Sequence, residues 1–219
     1  MYNINKIFGM LSLLILVVSC ENTEEQTSRV ESLPYYNEAS FTPQWLKPNS
    51  IQVEAFHKIP DFSLIDQEGA TITNESFDGK IYVADFFFTT CPGICLKMTD
   101  NMSVLQEEFK KDNEVLLLSH SVTPDYDSVA ILKKYAVENE VISEKWHLVI
   151  GERSEIYDLG RNSYFVEEDL GETKTEEDFL HTENFVLIDK NKHIRGIYNG
   201  LNKTAIQQLI ADIQTLKKE

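Results

Sequence analysis

Ile81-Tyr82-Val83-Ala84-Asp85-Phe86-Phe87-Phe88 crowds β-branched and aromatic residues around a single carboxylate, the pattern of a strand buried on both faces. Thr89, Thr90 and the turn Cys91-Pro92-Gly93-Ile94-Cys95 follow, and the period then changes. Ile94, Met98, Met102, Leu105 and Phe109 recur every three or four positions, which predicts an amphipathic helix through Leu96–Lys110. A buried strand therefore delivers two cysteines to the start of a helix. Unpaired backbone N–H groups and the positive end of the helix dipole favour thiolate over thiol there.

The same reading extends along the chain. Phe62–Ile65 and Ala70–Thr73, joined by a turn at Gln67-Glu68-Gly69, predict a small hairpin ahead of the buried strand. Val115–Ser119 is a second buried strand. His120 to Asp127 reads as a loop at its C-terminal end, with Asp125 or Asp127 capping a helix that carries Val129, Leu132, Tyr135 and Ala136. Trp146–Ile150 is a third strand, and Ser154–Gly160 a short helix ended by its glycine. Arg161–Leu180 reads as an acidic, exposed insertion. Phe185–Ile188 and Ile194–Tyr198 predict a second hairpin. Asn202 caps a final helix with Ile206, Leu209, Ile210, Ile213 and Leu216 as its buried stripe. Hairpin, β-α-β-α-β, hairpin and helix make an α/β fold with parallel strands covered on both faces and an antiparallel edge. This is a thioredoxin-like plan: a central mixed sheet flanked by helices, with an extra N-terminal hairpin and an insertion before the last hairpin.

The remaining N-terminal part is processing and tether. Ile7–Val18 is mostly apolar, shorter than the roughly 20 residues that span a bilayer, and ends in Val17-Val18-Ser19-Cys20. Small residues directly before a cysteine resemble a bacterial lipobox. We therefore read 1–19 as a lipoprotein signal peptide, Cys20 as the lipidated residue, 20–52 as a flexible tether and 53–219 as the folded domain. An ordinary signal peptide with an incidental cysteine is the alternative. A lipid anchor places the domain in a bacterial cell envelope, facing the periplasm or the outer side of the cytoplasmic membrane. The 219 residues carry 20 Lys+Arg against 36 Asp+Glu, a formal charge of −16. No basic cluster interrupts that acidity, so nucleic acid is not the expected partner.

Of the three cysteines, Cys91 and Cys95 remain for chemistry in an exported, disulfide-permissive compartment. A disulfide between them would close too small a loop to remove much unfolded-state entropy, so a chemical purpose is favoured over a stabilising one. Four positions apart on a helix start, they can share one face. Soft sulfur with an imidazole suits copper, and zinc accepts the same atoms. His181, ahead of the last hairpin, and His120, after the second strand, are both candidate third ligands. His57 and His193 read as surface residues and His147 as packed in its strand. Asp85 lies six residues before Cys91 in an apolar strand. Unpaired burial would be costly there, so it is protonated, hydrogen-bonded or near solvent. It can relay protons or tune the thiolates, or it can be a structural carboxylate bonding Lys80 or Tyr82. Met98 and Met102 fit core packing better than copper ligation.

The motifs Pro60-Asp61-Phe62 with Asp66-Gln67-Glu68-Gly69, Val83–Phe86 running into Thr89–Cys95, Ser121–Asp125 with Asp127, and His181 ahead of Phe185–Asp189 together resemble the Sco/SenC family. These are thioredoxin-like copper-binding factors for cytochrome oxidase assembly, and the resemblance covers about Phe56 to Lys217. It implies one copper ion, Cu(I) or Cu(II), per domain, with Cys91, Cys95 and His181 at the ligand positions. It further implies a metallochaperone that delivers copper to the binuclear centre of cytochrome c oxidase subunit II, receiving it from a copper donor protein. The alternatives are a thiol–disulfide reductase that keeps the client's cysteines reduced, served by a thiol reductant, and a redox or copper sensor. Gly93 in the middle of the CxxxC motif, Leu96 after it, and Leu180-His181-Thr182 depart from common family patterns without removing a ligand.

Overall fold

A computed structural model describes residues 27–219 apart from 49, 169–170, 172–173 and 176. Cys20 and the apolar run before it lie outside the described residues. Seven strands form one mixed sheet in the order β2-β1-β5-β4-β3-β6-β7. The strands are β1 Ser63–Asp66, β2 Thr71–Thr73, β3 Ile81–Phe87, β4 Val115–Ser121, β5 Trp146–Ile150, β6 Asn184–Ile188 and β7 Ile194–Asn199. β3, β4 and β5 are parallel neighbours, whereas β1/β2, β1/β5, β3/β6 and β6/β7 pair antiparallel. The helices are α1 Ile51–Glu54, α2 Ile94–Glu108, α3 Val129–Glu138, α4 Arg153–Asp158 and α5 Lys203–Leu216. None of the described helices is long and apolar enough to cross a membrane.

The two-residue period of β3 divides the core into two layers. Ile81, Val83 and Phe87 point to one face, where Met98, Met102 and Leu105 of α2, Leu132 of α3 and Leu209 and Ile213 of α5 pack. Tyr82, Ala84 and Phe86 point to the other, against Phe62, Phe77, Ile156 and Tyr164. All seven residues of β3 are buried, which explains its nearly unbroken apolar run. By parity Asp85 falls on the first face, the one that holds the cysteines.

Several elements differ from the sequence pattern. The segment read as a flexible tether packs on the domain well before Val53. Leu33 and Tyr35 are buried, Tyr35 pairs with Gln44, and Tyr36 bridges to Ile194 of β7. Arg195 holds this segment: its guanidinium donates to the Leu33 and Pro34 carbonyls, pairs with Asp189 and Glu219, and lies over the Tyr35 ring. β4 runs on through His120 and Ser121, both buried, because its ladder with β3 continues to Phe87↔Ser121. Gly160 does not end a helix. It lies inside a π-helical turn, Leu159–Ser163, where a Cβ would stand 2.6 Å from Leu180 Cδ1 and 3.0 Å from Phe86 Cε1. The insertion is exposed only in part: Tyr164, Phe165, Val166 and Leu180 are buried. His193, read as a surface residue, is buried with its ring nitrogen on the His57 carbonyl at 2.8 Å. His57 is half-buried, its Nε2 at 2.7 Å from the Ser163 carbonyl.

Candidate functional site

β3 delivers its chain to the end of the sheet beside β4, where Val122 N–H donates to the Phe87 carbonyl at 2.9 Å. Phe88, Thr89 and Thr90 carry it to Cys91, and α2 begins three residues later. Gly93 is the N-cap of α2 and brings no capping side chain. The first N–H groups of a helix need an acceptor from elsewhere, and the Cys91 sulfur takes that place. It accepts from the backbone of Gly93, Ile94 and Cys95 and from the Cys95 thiol.

The two cysteines are free thiols in this structure, both buried, Cys91 at 9% exposure and Cys95 at 4%. Burial pushes the Cys91 thiol up, but the hydrogen bonds from Cys95 and from the helix N-terminus outweigh it and leave its pKa lowered. Burial first, then the hydrogen bond to Cys91, pushes Cys95 up to about 12, against a smaller lowering by the Phe88 backbone. The two thiols are therefore unequal: hydrogen bonds favour the thiolate form at Cys91, and Cys95 is the donor between them.

Asp85 lies beneath them, 2% exposed. Burial raises its carboxyl to about 7, and a short hydrogen bond from Ser119 Oγ partly offsets the rise. Ser119 in turn accepts from Trp146 Nε1 at 2.8 Å, so the indole and the hydroxyl form one chain aimed at the carboxylate. The Asp85 charge is felt at Cys95, where it raises the thiol further. The structural alternative for Asp85 involved other partners, and they are engaged elsewhere: Lys80 Nζ donates to the Asn113 carbonyl and Tyr82 Oη pairs with Tyr164 Oη.

His181 is exposed. Its segment is nonetheless bound at the dithiol end of β3: Phe179 meets Phe88 edge-on at 5.4 Å, Leu180 is buried, and Thr182 Oγ1 donates to the Val166 carbonyl at 2.6 Å. Among the described residues no three His, Cys, Asp or Glu side chains are gathered to hold a metal ion. The structure thus joins Cys91 and Cys95, sets Asp85 below them, and leaves the His181 ring outside the pair. The other candidate imidazole, His120, points to the opposite face of the sheet. It stacks on Phe86 at 4.5 Å with its Nδ1 at 3.2 Å from the Asp85 carbonyl, and burial lowers its pKa to about 4.

Asp127 and Asp125 do not cap α3; Ser128 does, accepting from Ile131 N–H. Asp127 is fully buried and bonds Thr89, Ser121 and Thr123. The sequence signal for such a role was present only as a carboxylate surrounded by hydroxyl residues, a pattern that capping explains equally well.

A family model, SCO1/SenC, matches residues 52–218. The chain belongs to the SCO1/SenC family. It is 30% identical over 163 residues to the SCO1 protein homolog of Bacillus subtilis (strain 168), an overlap covering 73% of this chain and 82% of that protein. It is similar to the solved structure of BsSco, a member of the Sco family of cytochrome c oxidase assembly proteins with a disulfide switch. The identity is 29% and the TM-score 0.61, over 73% of this chain and 93% of that one. Bradyrhizobium japonicum ScoI, solved with copper bound, is 26% identical with a TM-score of 0.56, over 73% of this chain and 97% of that one. The match begins at α1, so this Sco/SenC protein carries the packed segment 33–46 ahead of the family region.

Proposed function

We propose that this Sco/SenC protein takes up one copper ion at Cys91 and Cys95, with His181 as the third ligand. It passes the ion to a copper acceptor in the assembly of cytochrome c oxidase, the binuclear centre of subunit II. The observation that carries this reading is the unequal thiol pair at the N-terminus of α2 in a chain of this family. A thiol whose pKa is lowered by hydrogen bonds gives up its proton more readily and offers copper a soft ligand, and the second sulfur can follow when its proton leaves. The copper-bound ScoI relative supports copper as the cargo. His181 itself is exposed, between buried Leu180 and Thr182 and two residues after the Phe179–Phe88 contact. In this reading the His181 segment would have to shift to bring the imidazole to an ion held by the two sulfurs, and its withdrawal would open a position for an incoming ligand. A lipid on Cys20 would tether the domain to the outer side of a bacterial membrane, where such a client would present its soluble face.

The Cys91–Cys95 asymmetry also favours a second reading, reduction of a client disulfide. The Cys91 thiolate attacks one client sulfur, a Cys91–client disulfide forms, and the other client sulfur leaves as thiolate. Cys95 gives its proton to the Asp85 carboxylate and attacks Cys91, which releases the second client thiolate and leaves a Cys91–Cys95 disulfide. Two electrons pass to the client.

Anaerobic copper titration of the reduced full chain, beside His181→Ala, tests the first reading. One tight equivalent with sulfur-to-copper charge-transfer absorption, weakened or altered in His181→Ala, supports it. No stable copper, together with ready oxidation of the pair to a disulfide, rejects the carrier and leaves the exchange reading.

A further inference from the structure

Asp127 has 0% of its surface exposed, and its carboxylate is the point where three stretches of chain meet. Its Oδ1 accepts from Thr89 Oγ1 at 2.5 Å, and its Oδ2 accepts from Ser121 Oγ at 2.6 Å, Thr123 Oγ1 at 3.0 Å and Thr89 N–H at 3.3 Å. Ser121 is the last residue of β4. Thr123 belongs to the turn that carries Asp127 itself, closed by Asp127 N–H on the Thr123 carbonyl at 2.8 Å. Thr89 belongs to the loop that delivers Cys91. A buried carboxylate is costly unless its lone pairs are filled. The helix it precedes does not need it, since Ser128 is the cap. What the carboxylate adds, and an apolar side chain of the same volume would not, is a two-point grip on Thr89.

Thr89 lies in the loop between the end of β3 and Cys91. The loop is pinned to β4's exit at Phe87, whose carbonyl accepts from Val122 N–H, and is closed as a turn by Cys91 N–H donating to the Phe88 carbonyl at 3.3 Å. The Phe88 backbone bonds the Cys95 sulfur, and the Cys91 sulfur must sit over the N–H groups of Gly93, Ile94 and Cys95. Thr89 lies between these two attachments and Asp127 is its anchor to the rest of the sheet.

We propose that Asp127, acting through Thr89, is a positioning residue that holds the Phe88–Cys91 loop in register with the start of α2 and thereby sets the reactivity of Cys91. The inference rests on the thiol chemistry proposed above, not on copper. It extends the site to a residue that touches neither sulfur.

The test compares Thr89→Val, Thr89→Ser and Asp127→Asn in the reduced, copper-free full chain. The reaction followed is that of Cys91 with dipyridyl disulfide, in which the thiolate attacks one probe sulfur, the probe S–S bond breaks and pyridine thione leaves. Thr89→Val keeps volume and loses the hydroxyl donor, whereas Thr89→Ser keeps it. We expect Thr89→Val and Asp127→Asn each to slow the reaction by about tenfold, the equivalent of roughly one hydrogen bond to the thiolate. Thr89→Ser should stay within about twofold of wild type, and the Thr89→Val/Asp127→Asn double variant should be no slower than Asp127→Asn, because one linkage is being cut twice. A Thr89→Val protein that reacts at the wild-type rate, or Thr89→Val and Thr89→Ser slowed alike, overturns the proposal. The Thr89 pair decides the matter even if Asp127→Asn does not fold. Because the probe reads a bare thiol, failure of the copper titration would leave this result standing.

Discussion

Replacing Asp85 by Asn should change how the stability of this protein responds to pH. The carboxyl is buried under the dithiol, and its folded pKa is raised from 3.8 to about 7, burial outweighing the Ser119 hydrogen bond. The folded value lies above the unfolded one, so the native state retains a proton that the unfolded chain releases. The stabilising effect of that proton is fully present below about pH 4 and is lost as pH rises towards and through about 7. A shift of about three units corresponds to about 4 kcal/mol, at about 1.4 kcal/mol per unit. Asparagine keeps the volume and an oxygen that accepts from Ser119, but it does not titrate. Urea unfolding of the reduced full chain, wild type against Asp85→Asn, should therefore give a stability difference that grows from about pH 4 to about pH 8 in favour of the variant, approaching about 4 kcal/mol. Charges elsewhere cancel in the difference. Two parallel profiles would refute the reasoning, because they would mean that Asp85 ionises inside the fold as easily as outside it. If the same carboxylate takes the Cys95 proton, the variant should also be slow in closing the Cys91–Cys95 disulfide near neutral pH.

Three further outcomes follow from the packing. Cys91→Ser should abolish reaction with a bulky alkylating agent at neutral pH, while Cys95→Ser should leave it, since hydrogen bonds lower the Cys91 pKa and Cys95 is pushed up to about 12; mass spectrometry of the quenched protein reads this directly. Gly160→Ala should destabilise by about 1–3 kcal/mol, because its Cβ would meet Leu180 and Phe86; a calorimetric midpoint unchanged from wild type would contradict the contact. Arg195→Met should cost about 3 kcal/mol by leaving buried Asp189 without its guanidinium partner and the Leu33 and Pro34 carbonyls without their donor. It should also free the segment around Leu33 and Tyr35, which limited proteolysis would detect as early cleavage there.

The site works by inequality. Helix N–H groups reach one sulfur of the pair and burial dominates the other, so two identical side chains four positions apart acquire different proton affinities. The carboxylate below is held near the pH at which a proton can be accepted and returned. Both proposed roles, copper carrier and thiol reductant, would draw on this inequality, and the His181→Ala titration is designed to separate them.

Much of this was legible in the chain because local periodicity carries it. The change from the two-residue period of Ile81–Phe87 to the helical stripe Met98, Met102, Leu105 and Phe109 placed the cysteines at a strand–helix junction, and the mixed, helix-flanked sheet follows from strands and helices alternating over short links. The oddity of Asp85 was visible because a carboxylate in an apolar run has to be accounted for. Its partner was not, since Ser119 lies on the neighbouring strand and only the β3/β4 register, Asp85↔Ser119, brings the two together. The role of Asp127 was hidden for the same reason: capping is a local pattern, whereas its bond to Thr89 spans 38 positions. Gly160 looked like a helix stop because a glycine has no side chain to reveal that Phe86 and Leu180 fill its space. The packing of the N-terminal segment from Leu33 onward is not legible in 20–52, because a few apolar residues among polar ones become core only when Arg195 and β7 supply the other wall. Sequence determined which side chains could do chemistry and on which elements they sit. Tertiary structure alone decided which sulfur keeps its proton, because burial and hydrogen bonds reaching across strands set a pKa and neither is a local property of the chain.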